Sequence, residues 1–84
     1  MKKVLLYTSA WCPFCIRALQ LLDNKDVIYQ NISVDGYPEI RQTMTEKAGR
    51  HTVPQIWVGD VHVGGCDDLF ALENEGKLEA LLAS

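Results

Sequence analysis

Apolar and polar positions follow two periods along this chain, and the switches between them mark its elements. Val4-Leu5-Leu6-Tyr7 is an unbroken apolar run with a polar exit at Thr8 and Ser9, which predicts a strand over Lys3 to Thr8 buried on both faces in the middle of a sheet. From Pro13 the period lengthens. Cys15, Ala18, Leu19 and Leu22 recur at helical spacing, Leu21 widens the stripe and Lys25 suits the C-terminal dipole end, so a helix is predicted from Pro13 to about Lys25. After Asp23-Asn24-Lys25-Asp26, residues Val27 to Val34 read as a second strand. Ile28, Gln30, Ile32 and Val34 share one face of it, and Tyr29, Asn31 and Ser33 the other, wetter one.

Asp35-Gly36-Tyr37 is a turn, and Pro38 opens a helix that stops at Ala48-Gly49. Its apolar face is thin, being Ile40, Met44 and either Lys47 or Ala48, which predicts the least firmly packed helix of the fold, with Met44 as core filler. Thr52-Val53-Pro54 then interrupts. Gln55 to Val58 and Val61 to Val63 form a hairpin around Gly59-Asp60, with His62 an outward strand residue and His51 a loop residue. Gly64-Gly65 precedes a third helix, opened by Cys66-Asp67-Asp68 and stopped at Gly76, and Leu78, Leu81 and Leu82 make a short final helix over one sheet face. The order β-α-β-α-β-β-α, with that extra helix, predicts an α/β fold: a four-stranded mixed sheet flanked by helices on both faces, its first βαβ unit parallel through a right-handed crossover.

Length and composition narrow the function. The 84 residues make one domain over 1–84, and 48% hydrophobic residues with charges of both signs describe an ordinary globular chain. A net charge of −3 argues against nucleic acid. The Val4 run is too short for a signal-peptide core or a membrane span, which predicts a cytoplasmic protein without a membrane partner. Three cysteines, an odd number, suit reactive thiols in a reducing compartment better than a disulfide scaffold.

Cys12 and Cys15 carry the chemistry. A C-x-x-C pair at a strand-to-helix junction reads as a redox motif. If Cys12 caps the helix, its sulfur lies beside N–H groups that the first turn leaves unpaired, and these favour a thiolate. A free thiol with a pKa of about 8.5 is only about 3% ionised at pH 7, so such help matters. Pro13 suits the first helical position, since the N–H it lacks would go unused there. Cys15, one turn on, sits further in, so Cys12 is the attacking sulfur and Cys15 the resolving one. The same pair also begins many zinc modules, but no second C-x-x-C or paired His follows.

Cys12-Pro13-Phe14-Cys15, Thr52-Val53-Pro54 and Gly64-Gly65-Cys66-Asp67-Asp68, in this order and spacing, resemble a glutaredoxin of the small bacterial dithiol type over nearly the whole chain. The resemblance implies a thioredoxin-like fold and a cis Val53-Pro54 bond facing the cysteines. It also implies glutathione as co-substrate, with no bound cofactor or metal. Glutathione would lie across Cys12 beside Phe14 and Thr52, with its cysteine backbone paired to Val53 next to Pro54. Gly65 would allow close approach, the Cys66 and Asp67 amides would hold the γ-glutamyl carboxylate, Asp68 or else Asp67 its ammonium, and Arg41 the glycine carboxylate. The plainer readings are helix capping for the aspartates, a solvated charge for Arg41 and a small half-buried residue for Cys66.

Ser9 stands where the family often has lysine, Phe14 replaces the usual tyrosine, and Trp11 matches thioredoxins. The expected activity is glutathione-dependent thiol-disulfide exchange by a monomer acting on disulfide-bonded or glutathionylated proteins. A thioredoxin-like reductase recharged by a flavoprotein is the alternative enzyme, and a glutathione-ligated iron–sulfur dimer the alternative of another class. Cys15 and Pro13 argue against the dimer.

Overall fold

The apolar run of the first strand has to be covered on both sides, and it is. A computed structural model describes residues 2–84, in which β1 (Val4–Thr8), α1 (Pro13–Asn24), β2 (Tyr29–Ser33), α2 (Pro38–Ala48), β3 (Gln55–Val58), β4 (Val61–Gly64), α3 (Cys66–Asn74) and α4 (Leu78–Ala83) follow in order. The strands form one sheet, β2-β1-β3-β4. β1 runs parallel to β2 and antiparallel to β3, which pairs antiparallel with β4. This is the expected four-stranded mixed sheet of a thioredoxin-like fold.

Strand alternation divides the core into two layers. Val4 and Leu6 of β1 and Ile56 and Val58 of β3 join Ala18 and Leu22 of α1, Leu69 of α3 and Leu78 and Leu82 of α4 on one face. Tyr7 and Trp57 point the other way, to Met44 of α2 and Val34, with Leu5, Ile32, Ile40 and Ala48 packed around them. α2 fully buries only Met44, as its thin stripe predicts. Lys25, just past α1, reaches Glu73 and Glu79 at 2.9 Å each, and so ties α1, α3 and α4 together at their outer ends. No helix among the described residues is long and apolar enough to cross a membrane.

Two expectations fail locally. Ile28, placed within the second strand on the face of Ile32 and Val34, lies before the strand begins and is 89% exposed. The chain leaves α1 through Asp26 at φ 58°, the Val27 N–H bonds to the Leu22 carbonyl and the Val27 side chain enters the core, so Ile28 is turned outward before pairing begins at Tyr29. His62 is half-buried rather than outward. Trp57 pairs directly with His62, so the two side chains share the α2 face of the sheet and the His62 ring stacks on Trp57 at 4.8 Å between centroids.

Leu69 is fully buried and Ile28 nearly bare. Leu69→Ala is expected to lose about 2–5 kcal/mol in urea unfolding, and Ile28→Ala to stay within about 0.5 kcal/mol of the parent.

Candidate active site

At the start of α1, Cys12 takes the N-cap position with extended backbone (φ −111°, ψ 108°), and its Sγ accepts the Cys15 N–H at 3.2 Å. Pro13 fills the first turn, where no intrahelical acceptor awaits its nitrogen. Cys12 is half-buried and Cys15 fully buried. Burial, then the hydrogen bond that the Cys15 thiol donates to Cys12, pushes that thiol up to about 12, against a smaller opposing bond with the Ser9 backbone. Cys15 therefore stays protonated at neutral pH while Cys12 is reachable from solvent. Trp11 and Phe14, at 91% and 53% exposure, flank the opening.

The loop before Cys12 is clamped from the β2–α2 connection. Ser9 Oγ donates to Asp35 Oδ1 at 2.6 Å, and the Ala10 N–H donates to Asp35 Oδ2 at 2.9 Å. These bonds, that of Ala10 first, hold the Asp35 carboxyl below the usual carboxylate range. Ser9 is thus engaged in holding the loop.

Opposite Cys12, the Val53-Pro54 peptide is cis, as the resemblance implied. The Cys12 thiol lies 3.7 Å from the Val53 carbonyl oxygen. The preceding carbonyls are also taken: Arg41 Nη1 donates to His51 O at 2.6 Å, and Gln55 Nε2 donates to Thr52 O at 3.0 Å and Thr52 Oγ1 at 3.3 Å. The Val53 N–H meets no protein acceptor among the described residues.

The third side is the β4–α3 junction. Gly64 has φ 117°, and a Cβ there would strike the Asp68 carboxylate and the Arg50 guanidinium, so only glycine fits. Asp68 Oδ2 accepts the Gly65 N–H at 2.9 Å and Arg50 Nη2 at 3.1 Å. Those two bonds, the backbone one first, keep its carboxyl below the ordinary range. Asp68 therefore caps its own helix while facing the groove. The Cys66 and Asp67 N–H groups open α3 without backbone acceptors among the described residues. Cys66 is buried, and burial pushes its thiol up.

These pieces enclose a groove of about 180 Å³. Phe14, Thr52, Val53, Pro54, Gly65, Cys66, Asp67 and Asp68 line it, all residues named from the sequence, while Cys12 stands beside it, 3.7 Å from the Val53 carbonyl oxygen, and is not among the lining residues. Arg50 completes the lining, and sequence reasoning missed it. It sits between the helix-ending Gly49 and the Thr52 motif, where no periodicity singles out a side chain. Arg41 is not among the lining residues, its guanidinium being turned to the His51 carbonyl. His51 is an exposed loop residue, as expected. A larger groove of about 580 Å³ lies at the far end of the sheet, where Lys3, Lys47 and Trp57 line it and no cysteine does. No group of three or more His, Cys, Asp and Glu side chains is placed to hold a metal ion among the described residues.

The contrast between the sulfurs is open to test. With Cys12 replaced by Ser, iodoacetamide should label the folded protein at least tenfold more slowly than the parent, and the rate should keep rising with pH beyond 9, because burial, the largest cause that holds the Cys15 proton on, remains when the Cys12 sulfur is gone. Fast labelling of Cys12→Ser that levels off near pH 8 would contradict this.

Comparison with known proteins agrees with this geometry. The family model described as Glutaredoxin matches residues 4–63. A glutaredoxin of Pseudomonas aeruginosa is 61% identical, the match covering 100% of each chain. The solution structure of glutaredoxin from Brucella melitensis, 52% identical, superposes with a TM-score of 0.87 over 98% of this chain and 89% of that one. The crystal structure of a buckwheat glutaredoxin–glutathione complex, 29% identical, gives 0.88 over 95% and 76%. A reachable Cys12 capping a helix, a buried Cys15 behind it and these matches together show that the chain belongs to the glutaredoxin family, a family of glutathione-dependent thiol oxidoreductases.

Proposed function

We propose that this protein reduces glutathione mixed disulfides and protein disulfides through Cys12 and Cys15, with glutathione as the electron donor. One observation carries the reading: Cys12 Sγ is reachable and accepts a helix N–H at 3.2 Å, while a protonated thiol waits one turn behind it. As thiolate, Cys12 attacks the glutathione sulfur of a glutathionylated protein. A Cys12–glutathione disulfide forms and the protein thiolate leaves to take up a proton. A second glutathione thiolate attacks the glutathione sulfur of that disulfide, releasing oxidised glutathione and the Cys12 thiolate.

On a protein disulfide, Cys12 attacks one sulfur and becomes disulfide-linked to the substrate. That bond removes the charge and hydrogen bond of Cys12 that help hold the Cys15 proton on, so Cys15 is easier to ionise when its attack is needed. Cys15 then displaces the substrate as a dithiol, and two glutathione molecules reduce the Cys12–Cys15 disulfide.

The groove suits glutathione end to end. The Val53 N–H, left without a partner, pairs with the ligand's cysteine backbone as an added strand does. Phe14, Thr52 and Pro54 form the wall around it, and Gly65 lets it approach. The Cys66 and Asp67 amides at the positive end of α3 receive the γ-glutamyl carboxylate, and Asp68, still capping Gly65, receives the ammonium group. Arg41, with one donor on His51, has others for the glycine carboxylate, and Arg50 adds a cation beside the γ-glutamyl end. The glutathione named in the buckwheat complex supports the same ligand here. The protein acts as a monomer in the cytoplasm, on disulfide-bonded and glutathionylated proteins.

Cys15→Ser should keep most deglutathionylation of a glutathionylated peptide and lose most reduction of a protein disulfide, because only the second reaction needs an internal thiol. Cys12→Ser should lose both. Equal loss in the two variants on the glutathionylated peptide would defeat the monothiol route.

Arg41→Ala, Arg50→Ala and Asp68→Asn should each raise the KM for glutathione about five-fold, the size of one partly exposed charge-assisted contact. The asparagine retains an oxygen for the Gly65 N–H, so its effect reads the charge rather than the cap. Unchanged KM values in all three would mean that the ligand lies elsewhere.

A further inference from the structure

Gln55 is the only large polar side chain with no exposed surface among the described residues, and it lies on the α2 face of β3, one residue past Pro54. Burying an amide is costly unless its groups are paired. Here each end is paired. Nε2 donates to Thr52 O at 3.0 Å and to Thr52 Oγ1 at 3.3 Å, while Oε1 stands 2.8 Å from His62 Nε2. An amide oxygen only accepts, so His62 Nε2 carries the hydrogen. The His62 ring is in turn fixed by stacking on Trp57, 4.8 Å between centroids and 28° between planes. Trp57 is held edge-on by Tyr7 and lies under Lys47 Nζ. A rigid aromatic stack thus reaches, through one imidazole and one amide, the peptide that precedes Val53.

That peptide unit has two ends. Thr52 C=O and Val53 N–H belong to the same planar trans group and point in opposite directions. With the carbonyl anchored on Gln55, the N–H is turned away from it, and it meets no protein acceptor among the described residues. We infer that Gln55, oriented by His62, is a positioning residue that locks the Thr52–Val53 peptide so that the Val53 N–H is presented to the ligand groove. The inference rests on the reading of that groove as the glutathione site. Gln55 touches neither sulfur, so it acts on binding of the ligand backbone and not on the reactivity of Cys12.

Gln55→Met keeps length and volume and loses every hydrogen bond. It is expected to raise the KM for glutathione about five-fold, with kcat within about two-fold of the parent and the iodoacetamide rate at Cys12 unchanged. His62→Phe, which keeps the stack on Trp57 but has no donor, should move the KM the same way, and His62→Gln, which has a donor, should bring it back toward the parent value. If Gln55→Met does not fold, the His62 pair carries the test. A parent-like KM in Gln55→Met, or in His62→Phe where only that variant folds, overturns the inference, as does a rise accompanied by slower Cys12 alkylation. Nuclear magnetic resonance without glutathione separates this failure from failure of the proposed function. The Val53 amide signal of Gln55→Met, or of His62→Phe in its place, should shift and broaden, and an unmoved signal rejects the lock. A parent enzyme with no saturable dependence on glutathione rejects the function reading alone.

Discussion

The antiparallel pairing of β1 with β3, in the register Tyr7 opposite Gln55, is the constraint on which the site depends. Cys12 lies four residues beyond Thr8, the end of β1, and Pro54 immediately precedes Gln55, the start of β3. Because the two strands run in opposite directions, the exit of one and the entrance of the other meet at the same end of the sheet. The ladder brings the two segments to that end, and Cys12 Sγ comes within 3.7 Å of Val53 O. β4, paired antiparallel with β3, ends at Gly64 and delivers the start of α3 to the same place. β2, parallel to β1, brings Asp35 there to hold Ser9 and Ala10. Four connections converge because strand direction leaves them nowhere else to go.

The two layers of the core divide the labour unequally. The α1, α3 and α4 side is almost entirely aliphatic and gives the fold its burial. The α2 side is thinner and carries the polar and aromatic fittings: Gln55, His62 and Trp57, with Lys47 over the tryptophan ring. Arg41, from the same helix, holds the His51 carbonyl. Side chains on this layer take the His51 and Thr52 carbonyls of the turn before Pro54, and the Val53 N–H of that turn meets no protein acceptor among the described residues. Removing water from these groups is tolerable because each finds a partner, and no buried side-chain nitrogen or oxygen is left unpaired among the described residues.

Chemical asymmetry between two identical side chains follows from position alone. Cys12 stands outside the first turn and is half-buried, whereas Cys15, three residues on, is fully buried. Desolvation disfavours the charged form of the buried thiol, and its neighbour's sulfur adds to the effect. A reachable sulfur and a buried, protonated one thus arise from one helical turn.

How much of this was legible beforehand depended on the range of the interaction. The periods of the strands and helices, the N-cap at Cys12, Pro13 and Pro38 in their first turns and the stop at Gly49 are local, set by residues within a few positions of one another, and the chain spells them out. The cysteine pair and the deeper burial of Cys15 were equally plain, because a helix turn carries its own geometry. The residues of the three motifs were visible too, but their meeting in one groove was inferred from resemblance. Ile28, His62, Arg41 and Arg50 were not legible in the same way. A positive φ at Asp26 turned Ile28 outward, cross-strand pairing set His62 opposite Trp57 on the covered face, and the hold of Arg41 on His51 and of Arg50 on Asp68 arose only once α2, its following loop and α3 were packed together. Sequence by itself determined the elements and the reactive sulfurs, since those rest on neighbours along the chain. Tertiary structure decided which polar side chains hold the turn opposite Cys12, since those partners are distant in sequence and only strand register brings them within a hydrogen bond.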